Sequence, residues 1–133
     1  MGEPKRRRTK LSPADLLRLD QWAAPLTWMF PFGYGPYLVG SAMEKRTYRD
    51  VDVRQPVPDD DPLFADPDRL RLLNVAMSVW AQQTTGLPVD FQFQPMAEWR
   101  AEDGKPRNPL GNRWRTIHGD PDEARPGARV VPR

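Results

Sequence analysis

The sequence contains no cysteine and one histidine, His118. Without cysteine, the chain can form neither a disulfide framework nor a thiolate metal site, and it has no cysteine nucleophile. His118 lies in a loop-like segment near the C-terminus. A lone histidine in such a loop is usually a surface residue, so we assign it no catalytic role. The lack of cysteine is compatible with both reducing and oxidising compartments.

Long apolar runs are also missing. No uncharged apolar segment approaches the length of a membrane span, and the basic N-terminus is not followed by the apolar segment of a secretory leader. We therefore expect a soluble, cytoplasmic protein with no membrane partner.

The composition is that of one small domain with loops and tails. Of the 133 residues, 38% are apolar, which suffices for one modest core. Sixteen prolines and 29% charged residues predict many loops and short elements. The predicted organisation is a basic disordered tail at residues 1–11, a single domain at residues 12–104, and a loop-rich, partly disordered tail at residues 105–133.

The net charge of +2 is unevenly distributed along the chain. The first ten residues carry five basic side chains and one acidic one, so this segment has a charge of +4 and the rest of the chain has a charge of −2. Such a segment suits sequence-independent contact with nucleic-acid phosphates, and it is equally typical of a solvated terminus. Its basic residues are Lys5, Arg6, Arg7, Arg8 and Lys10.

Two segments have the capping residues and the apolar spacing of helices. The first runs from about Pro13 to Trp22 after a serine cap, and the second runs from Pro67 to Thr85 between an aspartate cap and a glycine. Trp22 and Trp80 fall on the apolar faces and are therefore predicted in the core, whereas Trp99 and Trp114 are not assigned. The apolar positions of the second helix are Leu70, Leu73, Val75, Met77 and Trp80.

Three segments have the pattern of short strands. Tyr37 to Val39 is a brief apolar run, Val51 and Val53 alternate with polar residues, and Val89 to Gln94 alternates in the same way. The segment "PLTWMFPFGYGP" indicates a packed loop or a short helical turn, "MAEWRAEDG" is compatible with a short helix, and the chain is loop-like from residue 105. These elements predict an α/β (α+β) fold, with a small mixed sheet of three or more strands backed by two or more helices.

Acidic residues recur on the polar faces of the second and third strands. Because residues two apart on a strand project to the same side, Asp50 and Asp52 should share one face while the neighbouring valines point into the core. Asp90 lies on the polar face of the third strand, so pairing of the two strands would bring three carboxylates together. Mg²⁺ or Mn²⁺ would relieve their repulsion, and two such ions support in-line displacement at phosphorus. The alternative is a charged strand edge that discourages aggregation.

Glycine and basic residues surround this acidic pattern. Gly40 allows backbone N–H groups to approach a phosphate closely, and the Ser41 hydroxyl can add a hydrogen bond. Arg54 shares the predicted face of the first two aspartates, and Lys45 and Arg49 lie in the connection before them, where they can neutralise triphosphate charge or remain solvated. Gln92 and Gln94 share the face of Asp90, and we expect them to be polar residues of a half-exposed strand.

The ordered combination of Gly40-Ser41, Asp50-Val51-Asp52-Val53 and a later Asp90 resembles the polymerase-β-like nucleotidyltransferase superfamily. Members of that superfamily share a glycine-serine or glycine-glycine turn, an Asp-x-Asp or Asp-x-Glu pair and a third acid on a neighbouring strand. The resemblance covers roughly Tyr37 to Gln94. This segment is similar to the minimal bacterial and phage members of the superfamily. Met43-Glu44-Lys45 stand where antitoxin-type members often have Arg-Gly, so the nucleotide is not specified.

The resemblance implies a nucleotidyltransferase-like domain with defined site residues. Asp50, Asp52 and Asp90 would be the catalytic and metal-binding residues for Mg²⁺ or Mn²⁺. Gly40 and Ser41 would hold the β- and γ-phosphates of a nucleoside triphosphate, whose α-phosphorus is attacked by a hydroxyl of RNA, protein or a small molecule, with pyrophosphate leaving. A domain this small would need a small acceptor, a partner protein or a second copy in a homodimer.

Two other classes of function are compatible with the sequence. One is a catalytically silent protein of the same fold that binds a nucleotide or a partner, although the intact set of acids favours an enzyme. The other is a small nucleic-acid-binding protein that acts through its basic N-terminal tail, in which the acids are incidental.

Overall fold

The structure, a computed structural model, describes residues 9–30 and 35–111. It contains four helices and four strands within these ranges, together with two short 3₁₀ helices. The helices are α1 (Pro13–Ala23), α2 (Leu26–Met29), α3 (Pro67–Thr85) and α4 (Met96–Ala101). The strands are β1 (Tyr37–Val39), β2 (Val51–Val57), β3 (Val89–Pro95) and β4 (Asn108–Pro109). The 3₁₀ helices span Gly40–Met43 and Pro62–Phe64.

The four strands form one mixed sheet in the order β3-β2-β1-β4. β1 pairs antiparallel with both β2 and β4, whereas β2 and β3 are parallel. A parallel pair needs a long crossover connection, which α3 supplies. The predicted fold class, a small mixed sheet backed by helices, is thus confirmed.

The ends of the two long helices agree with the sequence prediction. Ser12 caps α1 by accepting a hydrogen bond from the backbone N–H of Asp15 at 3.1 Å. α3 begins after Asp66, whose side chain accepts from the N–H of Arg69, and it ends at Gly86 in the left-handed conformation (φ 75°). The helices therefore occupy the predicted segments.

The core lies between one face of the sheet and the helices α1 and α3. Trp22 of α1 is fully buried and packs edge-on against Phe91 of β3, with ring centroids 5.9 Å apart. Trp80 was predicted in the core, but it is 37% exposed. Its ring packs edge-on against that of Trp22, with the ring centroids 5.5 Å apart. Of the other predicted apolar positions of α3, Leu73 and Val75 are 36% and 54% exposed, whereas Leu70 and Met77 pack against the core.

α3 faces β3 through polar side chains, which explains the exposed apolar residues. Three side chains, each four residues from the next, bond to alternate backbone groups on the outer edge of β3. Asn74 Oδ1 accepts from the N–H of Phe93 (3.0 Å), Ser78 Oγ accepts from the N–H of Phe91 (2.8 Å), and Gln82 Nε2 donates to the carbonyl of Val89 (2.9 Å). The side of the helix that meets the strand is therefore polar.

The packed part of the chain extends beyond both predicted domain limits of residues 12 and 104. Leu11 is buried in the core, and the N–H of Lys10 donates to the carbonyl of Ala42 at 2.8 Å. At the other end, β4 pairs with β1, Leu110 is fully buried, and the N–H of Gly111 donates to Asp20 Oδ1 at 2.9 Å. Residues 10–11 and 105–111 thus belong to the fold, and the basic residues Lys5 to Arg8, Trp114 and His118 lie outside the described residues.

The two less regular segments form short helices. The aromatic segment after Pro25 contains the four-residue helix α2, and the segment after Pro95 forms the six-residue helix α4. Within the described ranges, none of the helices has the length and apolar character needed to cross a membrane.

Candidate active site

The pairing of β2 with β3 places Asp52 beside Asp90. The two residues are register partners in the parallel ladder, and the alternation of the strands turns both away from the buried Val51 and Val53. The side chains are 23% and 42% exposed, respectively. The sequence prediction that these two acids meet on the polar face is consistent with this register.

Asp50 has a different position from the one expected. It lies one residue before β2 and is exposed, so it is not part of the paired strand. Its charge nevertheless acts on Asp52, where it contributes to a raised pKa. Among the described residues, no group of three or more Asp, Glu or His side chains is arranged to hold a metal ion as it stands.

Gly40 is packed against Asp52 at the end of β1. The antiparallel register pairs Val39 with Asp52, and Gly40 follows with φ 76°, a left-handed conformation that favours glycine. A Cβ at this position would overlap Oδ2 of Asp52 and would lie 3.2 Å from its Cγ. Glycine is therefore required both by the backbone angle and by the approach of the carboxylate.

Ser41 lies within the 3₁₀ helix that Gly40 begins. Its carbonyl accepts hydrogen bonds from the N–H groups of Glu44 (3.0 Å) and Lys45 (2.7 Å), which fixes the turn after β1. Lys45 and Arg49 follow as exposed residues of the connection to β2. Across the described parts of the chain, neither of these cations forms an ion pair, so both are accessible to an anionic ligand.

The environment of Asp52 disfavours its ionised form. Burial is the main cause of its raised pKa, and the negative charges of Asp90 and Asp50 raise the pKa further. The guanidinium of Arg54 acts in the opposite direction. A nearby cation would therefore stabilise the ionised form of Asp52.

Arg54 is the cation that the structure places between the two strand acids. Its Nη2 lies 3.9 Å from Asp52 Oδ1 and 3.7 Å from Asp90 Oδ2, and its Nη1 donates to the backbone carbonyls of Asp90 and Val53 at 2.9 and 3.0 Å. The sequence prediction that Arg54 shares the face of Asp52 agrees with this position. Its guanidinium is engaged with the acids.

The donor set at Asp52 and Asp90 fits a hard divalent cation. Carboxylate oxygens are the ligands that Mg²⁺ and Mn²⁺ prefer, and burial together with the charges of Asp90 and Asp50 raises the pKa of Asp52, so a cation would favour its ionised form. Oδ2 of Asp52 lies against the backbone of Gly40, in the space that a side chain there would fill. A bound ion would take over the role that Arg54 has between the two acids.

A cleft of about 750 Å³ lies in front of this polar face. One wall contains Gly40, Asp52 and Arg54, and the opposite wall is formed by α4 and the segment that follows it. A second groove of about 830 Å³ runs between α3 and β3 and is lined by Asp50 and Asp90. Asp52 and Asp90, although paired, therefore line different depressions.

The far wall of the cleft contains residues that the sequence analysis did not assign to a site. Trp99 is buried, with its ring 4.7 Å from that of Tyr37, and the guanidinium of Arg107 lies 3.6 Å above the Trp99 ring. Gln94, expected on a half-exposed strand, is only 7% exposed and bonds to Glu98 and Glu102. The spacing of four between these glutamates was the available sequence signal for this cluster.

Comparisons of the chain with known protein families, with curated proteins and with solved structures give no match.

Proposed function

We propose that this protein is a metal-dependent nucleotidyltransferase, which transfers a nucleoside monophosphate from a nucleoside triphosphate to a hydroxyl acceptor and releases pyrophosphate. The observation that carries the proposal is the contact between Gly40 and Asp52, with Asp90 as the register partner of Asp52. The contact joins a phosphate-binding type of turn to a carboxylate pair. Each of these features alone has simpler explanations.

Three acids would hold the metal in this proposal. Asp52 and Asp90 are adjacent, and Asp50 is exposed at the start of β2, from where it can turn toward them. Mg²⁺ or Mn²⁺ bound there would supply Lewis-acid stabilisation of phosphate charge and would lower the pKa of the attacking hydroxyl. The three carboxylates would hold the cation between the cleft, which Asp52 lines, and the groove that Asp50 and Asp90 line.

The turn after β1 would bind the triphosphate. Gly40 is exposed at the start of this turn, and the Ser41 hydroxyl can donate to a phosphate oxygen. Lys45 and Arg49 are exposed cations on the connection that follows and would neutralise part of the triphosphate charge. These residues bind and orient the nucleotide, and none of them needs to transfer a proton.

The acceptor is the less specified substrate. The cleft of about 750 Å³ can admit a nucleotide together with a small molecule, or the reactive end of a larger chain. RNA, a protein and a small molecule are all compatible with this opening, as are a partner protein or a second copy that completes the site. The predicted role of the basic tail in nucleic-acid binding stays a prediction.

A catalytically silent protein of the same fold is the second candidate, and one observation favours it. Arg54 already lies within 3.9 Å of both Asp52 and Asp90, so the two acids have a cation without any metal. In a silent protein, Arg54 would be a permanent counterion. In the enzyme, it would yield to the metal.

Calorimetric titration of the protein with nonhydrolysable ATP, GTP, CTP and UTP analogues, each with and without Mg²⁺, tests the proposal. We expect binding of at least one analogue that depends on Mg²⁺ and is lost in Asp52→Asn and Asp90→Asn. Asp60→Asn, which changes an exposed acid in the loop after β2, is the matched control and should bind as the unaltered protein does.

A turnover assay separates the enzyme from the silent alternative. Pyrophosphate release from the preferred triphosphate should require Mg²⁺ or Mn²⁺ and should fall by at least about a hundredfold in Asp52→Asn. Binding that is indifferent to Mg²⁺ and unaffected by Asp52→Asn would contradict the enzymatic proposal. Metal-dependent binding without pyrophosphate release, over a broad set of acceptors, would support the silent alternative.

A further inference from the structure

Exposed apolar side chains are concentrated on α3. Of the eight large apolar residues that are exposed in the described ranges, five belong to this helix. Leu72, Val75 and Val79 are 69%, 54% and 42% exposed, and their spacing of three and four residues places them one above another on the outward side of the helix. We refer to these three residues as the α3 stripe.

The α3 stripe lies in an uncharged part of the chain. From Leu72 to Val89 no residue is charged, although 29% of the whole chain is. A helix face that remains in water usually carries charged residues. Contiguous exposed apolar surface of this kind is typical of a face that another molecule covers.

Opposite charges stand at the two ends of the groove beside the α3 stripe. Arg71 lies at the end where α3 begins. Asp50 lies at the other end, one residue before β2 and beside the turn that follows α3. Val75 and Val79 line the groove between them. The order along the groove is thus a cation, an apolar middle and an anion.

This order is complementary to itself under a two-fold axis. An axis perpendicular to α3 reverses the direction of the helix in a second copy, so the Arg71 end of one copy meets the Asp50 end of the other. The stripe then packs against itself, with Val75 of one copy near Val79 of the other. Ala76, which is small and exposed between them, allows the two helices to approach closely.

We propose that the α3 stripe is the interface of a homodimer in which two copies of α3 pack antiparallel. Apolar contact between the stripes supplies most of the affinity, and the two symmetry-related pairs of Arg71 with Asp50 fix the direction. Within one copy Arg71 contacts Asp68 at 2.5 Å, but both side chains are exposed and such a pair contributes little. The guanidinium can therefore bind a second carboxylate.

The dimer does not depend on the proposed activity, although both involve Asp50. The cleft lined by Gly40, Asp52 and Arg54 contains no residue of the α3 stripe and stays open in the dimer. Mg²⁺ held by the acids would compete with Arg71 of the second copy for Asp50, and the apolar contact would remain. Association is therefore measured in EDTA, so that the result is the same whether or not the protein binds a metal.

Analytical ultracentrifugation of the full chain tests the proposal. We expect a reversible equilibrium between monomer and dimer at concentrations below about 100 µM. Val75→Glu places a charge in the middle of the stripe and should raise the dissociation constant by about a hundredfold. Leu17→Glu changes an exposed apolar residue of α1 that does not line the groove, so it should leave the constant unchanged.

Charge reversal tests the direction of packing. Arg71→Asp and Asp50→Arg each turn both ion pairs of the dimer into repulsions, so each variant alone should dimerise at least about tenfold more weakly. An equimolar mixture of the two variants has opposite charges at both contacts, and it should form a heterodimer about as tightly as the unaltered protein dimerises. Arg69→Asp makes the same change in the same turn but outside the groove, and its effect should be about threefold or less.

Three outcomes would overturn the proposal. A protein that stays monomeric at about 100 µM would mean that the stripe serves a different molecule. A dimer that Val75→Glu leaves intact would place the interface on another face. A mixture of the charge variants that associates no more tightly than either variant alone would mean that the copies pack in another direction. Circular dichroism shows whether each variant is folded, and Val79→Lys replaces Val75→Glu if that variant is not.

Discussion

Oδ2 of Asp52 occupies the space that a side chain at Gly40 would fill. The contact joins the end of β1 to the second position of β2, and it holds only because the two strands pair with Val39 opposite Asp52. A change at Gly40 should therefore affect the carboxylate directly, even though the two residues are twelve positions apart in the sequence.

Gly40→Ala tests this contact. We expect a loss of stability of about 2 kcal/mol or more, since the positive φ and the overlap with Asp52 both oppose the new methyl group. Gly86→Ala is a matched control because Gly86 has nearly the same φ (75°, against 76° for Gly40) and nothing within 4 Å of its Cβ position. Denaturant unfolding of both variants measures the difference. Equal losses would mean that the contact with Asp52 has no energetic effect.

Asp52→Asn should stabilise the metal-free protein at neutral pH. The pKa of Asp52 is raised by burial and by the neighbouring acids, so the folded state holds this proton more tightly than the unfolded state does. The stability of the unaltered protein should therefore fall as the pH rises from the usual range of a carboxyl group through the raised pKa. Asp52→Asn does not lose stability in this way, because asparagine has no carboxyl group to ionise.

Melting temperatures measured against pH check this sign. The gain in stability from Asp52→Asn should be absent at low pH, where the aspartate is protonated in both the folded and the unfolded state. It should grow as the pH rises from the usual pKa of an aspartate through the raised pKa of Asp52, and it should be constant above that pKa. Asp60→Asn serves as the control for an exposed acid and should show a change within about 0.5 kcal/mol. If Asp52→Asn were less stable than the unaltered protein at pH 7, the raised pKa of Asp52 in the folded state would be refuted.

Arg54→Met should make the protein depend on added metal. Its removal leaves Asp52 and Asp90 without the cation that lies within 3.9 Å of each, and we expect a destabilisation of about 1–2 kcal/mol without Mg²⁺. Millimolar Mg²⁺ should then raise the melting temperature of the variant more than that of the unaltered protein, because the ion no longer competes with the guanidinium. Arg18→Met, which breaks an exposed pair on α1, is the control. A variant that Mg²⁺ does not stabilise would favour the silent alternative.

Ser78→Ala should weaken the attachment of α3 to the sheet. The hydroxyl accepts the N–H of Phe91 at 2.8 Å, and its loss leaves a backbone donor unpaired next to the core, which costs about 1–3 kcal/mol. Thr84→Ala, at an exposed position of the same helix, should have a much smaller effect. Hydrogen exchange provides a local measurement, since the amide of Phe91 should exchange faster in Ser78→Ala while that of Val53 changes only with global stability.

The strands that carry the proposed site were predictable because their sequences alternate. Val51 and Val53, and likewise Val89 and Phe91, are buried at every second position, which fixes the opposite face as the one that displays Asp52 and Asp90. The capping serine and aspartate and the glycine at the end of α3 similarly identified the helix boundaries. Local chemistry determined these features, so local patterns were sufficient.

The errors arose where long-range contacts determine the structure. The apolar spacing of α3 suggested a buried face, but the side that meets β3 is made of Asn74, Ser78 and Gln82 because it bonds to backbone groups. β4 has only two residues, too few for any periodic pattern, and it exists through its pairing with β1. The burial of Gln94 likewise depends on α4 folding back over the sheet.

The polar side of α3 has a consequence for how the protein can associate with other chains. β3 is the last strand of the sheet on its side, and its outward N–H and C=O groups would ordinarily be available to a strand from another molecule. Asn74 and Ser78 already accept from the N–H groups of Phe93 and Phe91, and Gln82 donates to the carbonyl of Val89. The sheet is therefore closed to extension beyond β3, and a partner that approaches this side must bind through side chains, such as the exposed Leu72 and Val75 of the same helix.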